Sequence, residues 1–222
     1  GQFMVEHFRK VLETAAKYEV SLVVHEPIKD TGLRRTFPNM MSREGAKGQE
    51  FNGFMSSKDN NKPNHTTIIP FTRLLSSPMD YTPGIFNLVD YRYNSPEDRK
   101  INPNHRIPST ISKELALYVV IYAPVQMAAD LPSNYEGNPA FQFILDVPTD
   151  WEETKVLNGE IGEFITIARK DINSDSWYIG SITNEDGRSI EIEMNFLNDN
   201  ATYKATIYKD PTNGGSVSYT HL

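Results

Sequence analysis

Three glutamates and a histidine are the residues in this chain best suited to chemistry: His25, Glu26, Glu44 and Glu50, the glutamates separated by steps of 18 and 6 residues. Glycosidic bond cleavage needs two carboxyl groups, one protonated to assist the leaving oxygen and one ionised as base or nucleophile. Several carboxylate oxygens on one loop also suit a hard cation such as calcium. The same residues have a plainer use. Glu44 and Glu50 can pair with Arg34, Arg35, Arg43 or Lys47 on a solvated loop, where ion pairs are common. His25 is as readily a hydrogen-bonded structural histidine as a ligand contact. The aromatic residues Phe37, Phe51, Phe54, Tyr81 and Trp151 could stack on sugar rings or fill core.

The elements that must position these residues follow from the apolar pattern. Residues 2–18 carry Phe3, Met4, Phe8, Val11, Leu12 and Ala15 at helical spacing. Residues 19–24 are apolar and β-branched, as a buried parallel strand requires, and stop at His25 and Glu26. A strand that ends in a carboxylate and hands over to a long Gly-, Pro- and Arg-rich loop is how α/β enzymes present catalytic groups. Residues 55–64 are polar and predict a surface excursion, and Pro70 argues against a regular strand in 65–75. Residues 87–108 predict a second surface loop, and Ser109 or Thr110 caps a helix to about Ile121. Val125–Ala129 ends at Asp130 in a second strand-then-carboxylate junction, and 134–144 is a further helix candidate.

The pattern changes across residues 146–158. Four segments then alternate in the strand sense, at 163–168, 177–182, 190–196 and 203–208, separated by Asn-, Asp- and Gly-rich turns. The closing GGSVSYTHL has neither strand nor helix character. The expected fold class is therefore α/β plus all-β: the C-terminal part of a (β/α)8 barrel over residues 1–156, then a small antiparallel β-sandwich over 157–222. A helix already under way at Gln2, with no start methionine, implies a chain that begins inside a domain.

Composition excludes several functions. A net charge of −7 and a pI near 5.3 do not make a nucleic-acid surface. No run of 18 apolar residues is present to span a membrane. There are no cysteines, which removes disulfides, zinc–thiolate sites and thiol nucleophiles. No G-x-S-x-G, P-loop or G-x-G-x-x-G motif supports a serine nucleophile or a nucleotide site.

The segments HEPIKDTGLRRTFPN, REGAKGQEFN, HTTIIPFTRLLSSPMDYTPGIF and LALYVVIYAPVQMAADLPSNYEGNPAFQFILDVPTDWEETKVLNGEIGEFITIARK resemble glycoside hydrolase family 97, in order from about residue 19 to 210. That family contains bacterial α-glucosidases and α-galactosidases. The resemblance implies an N-terminal β-super-sandwich, a central (β/α)8 barrel and a C-terminal β-domain, of which this chain would hold the last parts. It implies Glu26 as general base and calcium ligand, Glu44 as calcium ligand, Glu50 as general acid and calcium ligand, and His25 as a substrate contact beside Glu26. The α-galactosidase branch lacks the glutamate of the His-Glu pair, so Glu26 favours inversion and an α-glucosidase acting on maltooligosaccharides or related glucosides. The alternatives are an α-galactosidase of the same family or a non-catalytic carbohydrate-binding protein. The resemblance also implies that the remaining base and calcium ligand lie upstream in the same polypeptide, which would complete the site, and that the protein is periplasmic.

Overall fold

The computed structural model describes residues 1–54, 61–89, 107–210 and 218–221. Most of the two expected surface loops, at 55–64 and 87–108, lies outside the described residues. The chain opens with α1 (Gln2–Lys17), as the apolar spacing predicts, and Leu12 is its buried residue. A short turn leads to β1 (Leu22–Val24), which pairs in parallel with β2 (Met40–Arg43), Val24 opposite Arg43. Parallel neighbours need a crossover. Residues 25–39 provide it, with one helical turn, α2 (Leu33–Thr36), entered through Gly32 at φ +82. A residue with a Cβ would be strained there.

A parallel bridge then joins Arg43 to Met79, and the Met79 amide donates to the Tyr122 carbonyl at 3.0 Å. Neighbours are thus added in sequence order, as α/β repeats add them. Between these positions lie α3 (Phe51–Phe54), α4 (Pro63–Ile68) and two 3-10 turns, Ile69–Phe71 and Arg73–Leu75. Pro70 sits inside the first 3-10 turn, consistent with the absence of a strand there. Next comes α5 (Ile111–Val120), whose N-cap Thr110 accepts the Lys113 amide at 3.2 Å, as the sequence predicts.

The expected helix at 134–144 is two short ones, α6 (Pro132–Tyr135) and α7 (Phe141–Asp146), separated by Gly137 at φ +70. Residues 125–129 form no strand. Their apolar run is irregular, and the Ala129 amide bonds the Pro83 carbonyl at 3.2 Å.

The all-β part begins with β3 (Trp151–Glu160), a strand the alternation rule did not single out because its residues are mostly polar and exposed. It pairs antiparallel with β4 (Phe164–Asp171), which pairs with β5 (Trp177–Thr183). This three-stranded sheet buries Ile165, Ile167 and Ile182 with Leu117, Val120 and Ile121 of the α5 segment and with Met79. Each such side chain contributes about 1.5–3 kcal/mol on full burial. Gly180 lets the helix lie close: a Cβ there would come within 2.8 Å of the Ala116 carbonyl and of Val119 Cβ.

Two strand expectations are corrected. Residues 190–196 alternate in sequence but join no ladder; Asn158 Nδ2 donates to the Glu191 carbonyl at 3.1 Å, and Phe196 packs on Trp177. Alternation supplies two faces, whereas a strand also needs a free edge to pair with. Conversely, the closing segment does contain a strand, β7 (Ser218–His221), antiparallel to β6 (Thr206–Lys209). Among the described residues the all-β part consists of a three-stranded sheet lying on α5 and a separate two-stranded ribbon. No helix among the described residues is long and apolar enough to cross a membrane.

Candidate active site

The carboxyl ends of the parallel ladder point to one place. β1 ends at Val24 and is followed by His25 and Glu26; β2 ends at Arg43 and is followed by Glu44; the third position, Met79, is followed by Asp80. In parallel α/β assemblies this end of the sheet is where ligands bind. His25 Nε2 lies 2.7 Å from Asp80 Oδ2, and His25 Nδ1 lies 3.4 Å from Glu50 Oε1. Ligand atoms of His25, Glu44 and Glu50 all fall within 4.8 Å of one another.

Glu26 sits at the turn that makes this possible. Its backbone is left-handed, φ +49, a conformation that costs a non-glycine residue about 1 kcal/mol or more. The turn aims its amide at Glu44, whose Oε2 accepts it at 3.1 Å. It also frees His25 and Glu26 from the alternation that would send them to opposite faces of a strand. The Glu26 carboxylate is exposed and does not join the group gathered within 4.8 Å. Of the four residues singled out from the sequence, three therefore converge through their side chains and Glu26 through its backbone.

Three of the four cations that could have paired with Glu44 and Glu50 have other partners. Arg34 and Arg43 face Asp30, at 3.9 and 3.8 Å, and Lys47 lies over the Phe51 ring. Arg43 also donates to Ser77 Oγ and Ser76 Oγ, at 3.1 and 2.9 Å. Arg73 closes the back of the site: it donates to the carbonyls of Glu44 and Arg43 at 2.8 Å, Ser77 at 2.9 Å and Pro78 at 3.1 Å. One guanidinium thus ties the end of β2 to the approach of Asp80. Burial, with Arg43 beside it, lowers the Arg73 pKa to about 10.

The three residues leading into Glu50 are each held by a hydrogen bond. Asn61 Nδ2 donates to the Gly48 carbonyl at 2.7 Å, His65 Nε2 lies 2.8 Å from the Lys47 carbonyl, and the Gln49 amide donates to the Tyr81 carbonyl at 2.8 Å. Burial opposes protonation of His25, but the hydrogen bond and charge of Asp80, then the charges of Glu50 and Glu44, outweigh it and raise its pKa. Of the aromatic candidates, Tyr81 is core, and Trp151 packs on Tyr178 and under Arg169.

Asp80 is the site residue that pattern reasoning did not single out. Its signal was local, a carboxylate after the apolar Met79 and between turn formers, and weaker than that of Asp130. Asp130 has a structural use instead: its Oδ2 accepts the amides of Phe86 and Asn87, at 2.8 and 2.7 Å, and its Oδ1 accepts Leu131 N and Asn134 Nδ2.

The donor set fits a hard cation in part. Glu44 and Glu50 offer carboxylate oxygens of the kind calcium takes, and the Glu26 carboxylate lies outside their group. An imidazole nitrogen is a poor calcium ligand, and His25 is already engaged by Asp80, which suits it better to a substrate hydroxyl.

Residues 150–221 match a family model described as Glycosyl-hydrolase 97 C-terminal, oligomerisation, and residues 1–46 match one described as Glycoside hydrolase 97. A retaining alpha-galactosidase of Bacteroides thetaiotaomicron is 38% identical over 206 residues, covering 92% of this chain and 30% of that protein. A probable retaining alpha-galactosidase of Streptomyces bingchenggensis is 30% identical over 181 residues, covering 81% of this chain and 25% of that protein. Among solved structures, a glycoside hydrolase family 97 enzyme of Pseudoalteromonas sp. strain K8, seen with panose and with acarbose, superposes with a TM-score of 0.87 at 45% identity, covering all of this chain and 34% of that one. The chain spans about a third or less of the length of these relatives.

Proposed function

The chain belongs to glycoside hydrolase family 97, and from that premise we propose that it carries part of the active site of a calcium-dependent inverting α-glucosidase. The observation that carries this reading is the gathering of His25, Glu44 and Glu50 at the carboxyl ends of parallel strands, beside a Glu26 held in a strained turn. The ladder from β1 through Met79 to Tyr122 is read as the closing part of a (β/α)8 barrel.

In this mechanism Glu26 takes a proton from water as that water attacks the anomeric carbon, while Glu50 gives its proton to the departing glycosidic oxygen. His25, oriented by Asp80, contacts a sugar hydroxyl. Glu26, Glu44 and Glu50 would hold calcium, which when bound orients the carboxylates and tunes their proton affinities. Inversion calls for an acid and base about 6.5–9.5 Å apart, the span that admits a water. The substrate is an α-glucosidic oligosaccharide, supported by the panose and acarbose complexes of the Pseudoalteromonas enzyme. Upstream residues of the same polypeptide would complete the site, and a periplasmic location goes with the same reading.

The names of the curated relatives favour a second reading, a retaining α-galactosidase. Proton NMR of the first-formed product from the intact protein separates the two. Release of β-glucose from an α-glucoside, lost on chelation and restored by calcium, is the expected result. First release of α-galactose, with α-glucosides untouched, would overturn it.

A further inference from the structure

Glu114 is a carboxylate with no exposed surface, in the first turn of α5 and beside the buried Leu115 and Leu117 of that helix. Burying a carboxylate costs several kcal/mol unless donors surround it, and a leucine would fill such a place without that cost. Glu114 has four donors, and they come from three separate segments. Gln49 Nε2 donates to Oε1 at 3.0 Å, and Ser109 Oγ donates to the same oxygen. The amides of Gly84 and Ile85 donate to Oε2 at 3.0 and 3.3 Å. What the carboxylate adds over an apolar side chain is a fixed register between these segments. Two of them flank the site: Gln49 immediately precedes Glu50, and Gly84 follows Asp80 by four residues. The Gln49 amide, bonded to the Tyr81 carbonyl at 2.8 Å, closes the same link from the backbone.

We propose that Glu114, acting through Gln49, is a positioning residue that holds Glu50 in place to protonate the leaving oxygen. The proposal rests on the assignment of Glu50 as general acid. A misplaced acid is felt in proportion to how much the leaving group needs a proton, and a poor leaving group needs one most. A purely structural defect slows all substrates of one sugar alike.

The test uses the intact protein and two α-glycosides of the sugar it hydrolyses, one with an alkyl leaving group and one with a dinitrophenyl leaving group. Gln49→Met keeps the side-chain length and removes the donor. It is expected to lower kcat on the alkyl glycoside about tenfold or more and on the dinitrophenyl glycoside less than about threefold. Ser109→Ala, which takes another donor from the same oxygen and leaves the Gln49 side chain in place, is expected to leave the ratio of the two rates unchanged. That ratio within one preparation is independent of how much of it is folded. Glu50→Gln is the benchmark. If Glu50→Gln slows both substrates alike, the acid assignment falls and the proposal with it. If Glu50→Gln discriminates but Gln49→Met shifts both rates equally, or neither, the acid assignment stands and the positioning role is overturned.

Discussion

His25 and Asp80 lie 55 residues apart in sequence and 2.7 Å apart in space, and the aspartate of this pair is 3% exposed. A buried carboxylate whose partner is removed is left with its full desolvation penalty. His25→Ala should therefore destabilise the protein by about 2–3 kcal/mol, more than the loss of one half-exposed side chain would suggest. Adding Asp80→Asn, which removes the charge, should recover part of that loss. Urea denaturation of the two single variants and the double variant gives the coupling directly. Strictly additive effects would mean that the pair does not fix the histidine.

Arg73 gathers four carbonyls, those of Arg43, Glu44, Ser77 and Pro78, at 2.8–3.1 Å. A planar guanidinium can span them, whereas an ammonium is a point donor on a flexible stem. Arg73→Lys keeps the charge and should still cost about 2 kcal/mol or more, because carbonyls are left without donors. It should also weaken the calcium binding proposed for the intact protein, since the main chain of Glu44 loses its anchor. Titration calorimetry with calcium checks the second effect. Unchanged affinity alongside reduced stability would confine Arg73 to the fold.

What the sequence made legible follows from which forces are local. The helices at 2–17 and 111–120 were readable because helical periodicity and an N-cap threonine act within a few residues. β4 and β5 were readable from alternation. β3 was not, because Glu152, Glu153 and Thr154 are exposed and its place in the sheet comes from pairing with β4. The alternating residues 190–196 failed in the opposite sense: the pattern is there and the partner edge is not. In the site, the His25–Glu26 junction was legible from the abrupt end of an apolar run, whereas the roles proposed for Glu44 and Glu50 rest on family resemblance. The pairing of His25 with Asp80, and of Gln49 with Glu114 across 65 residues, is tertiary and left no local mark.

Gly180 should tolerate no side chain. The Cβ of an alanine would meet the Ala116 carbonyl and Val119 Cβ at 2.8 Å, and Val120 Cγ2 at 3.1 Å. None of these is the free end of a flexible side chain, so α5 would have to move off the sheet. Gly180→Ala should cost about 1–3 kcal/mol by overpacking. Gly187, where an added Cβ meets nothing within 4 Å, is the control, and Gly187→Ala should be close to neutral. Thermal unfolding of both variants decides. Equal melting temperatures would show that the helix–sheet contact is looser than these distances imply.

Lys113 gives a pH dependence whose sign can be worked out. Its Nζ donates to the carbonyls of Pro63 and Thr183, at 2.9 and 3.1 Å, linking α5 to α4 and β5. Burial outweighs the attraction of Glu114 and Glu185 and lowers its pKa from 10.5 to about 8. Between about pH 8 and 10.5 the unfolded chain therefore binds more protons at this position than the folded one. Stability must then rise with pH through that window, and the penalty for charging the amine is fully present below it. Comparison with Lys113→Met isolates this residue from the tyrosines and lysines that titrate nearby. The methionine variant loses two hydrogen bonds, a cost of about 1–3 kcal/mol. Relative to it, the wild type should gain on the order of 3 kcal/mol as pH rises across the window. Urea midpoints at pH 7.5, 8.5, 9.5 and 10.5 give that difference. Parallel curves for the two proteins would mean that the amine stays protonated in the fold, with solvent reaching it between the two carbonyls.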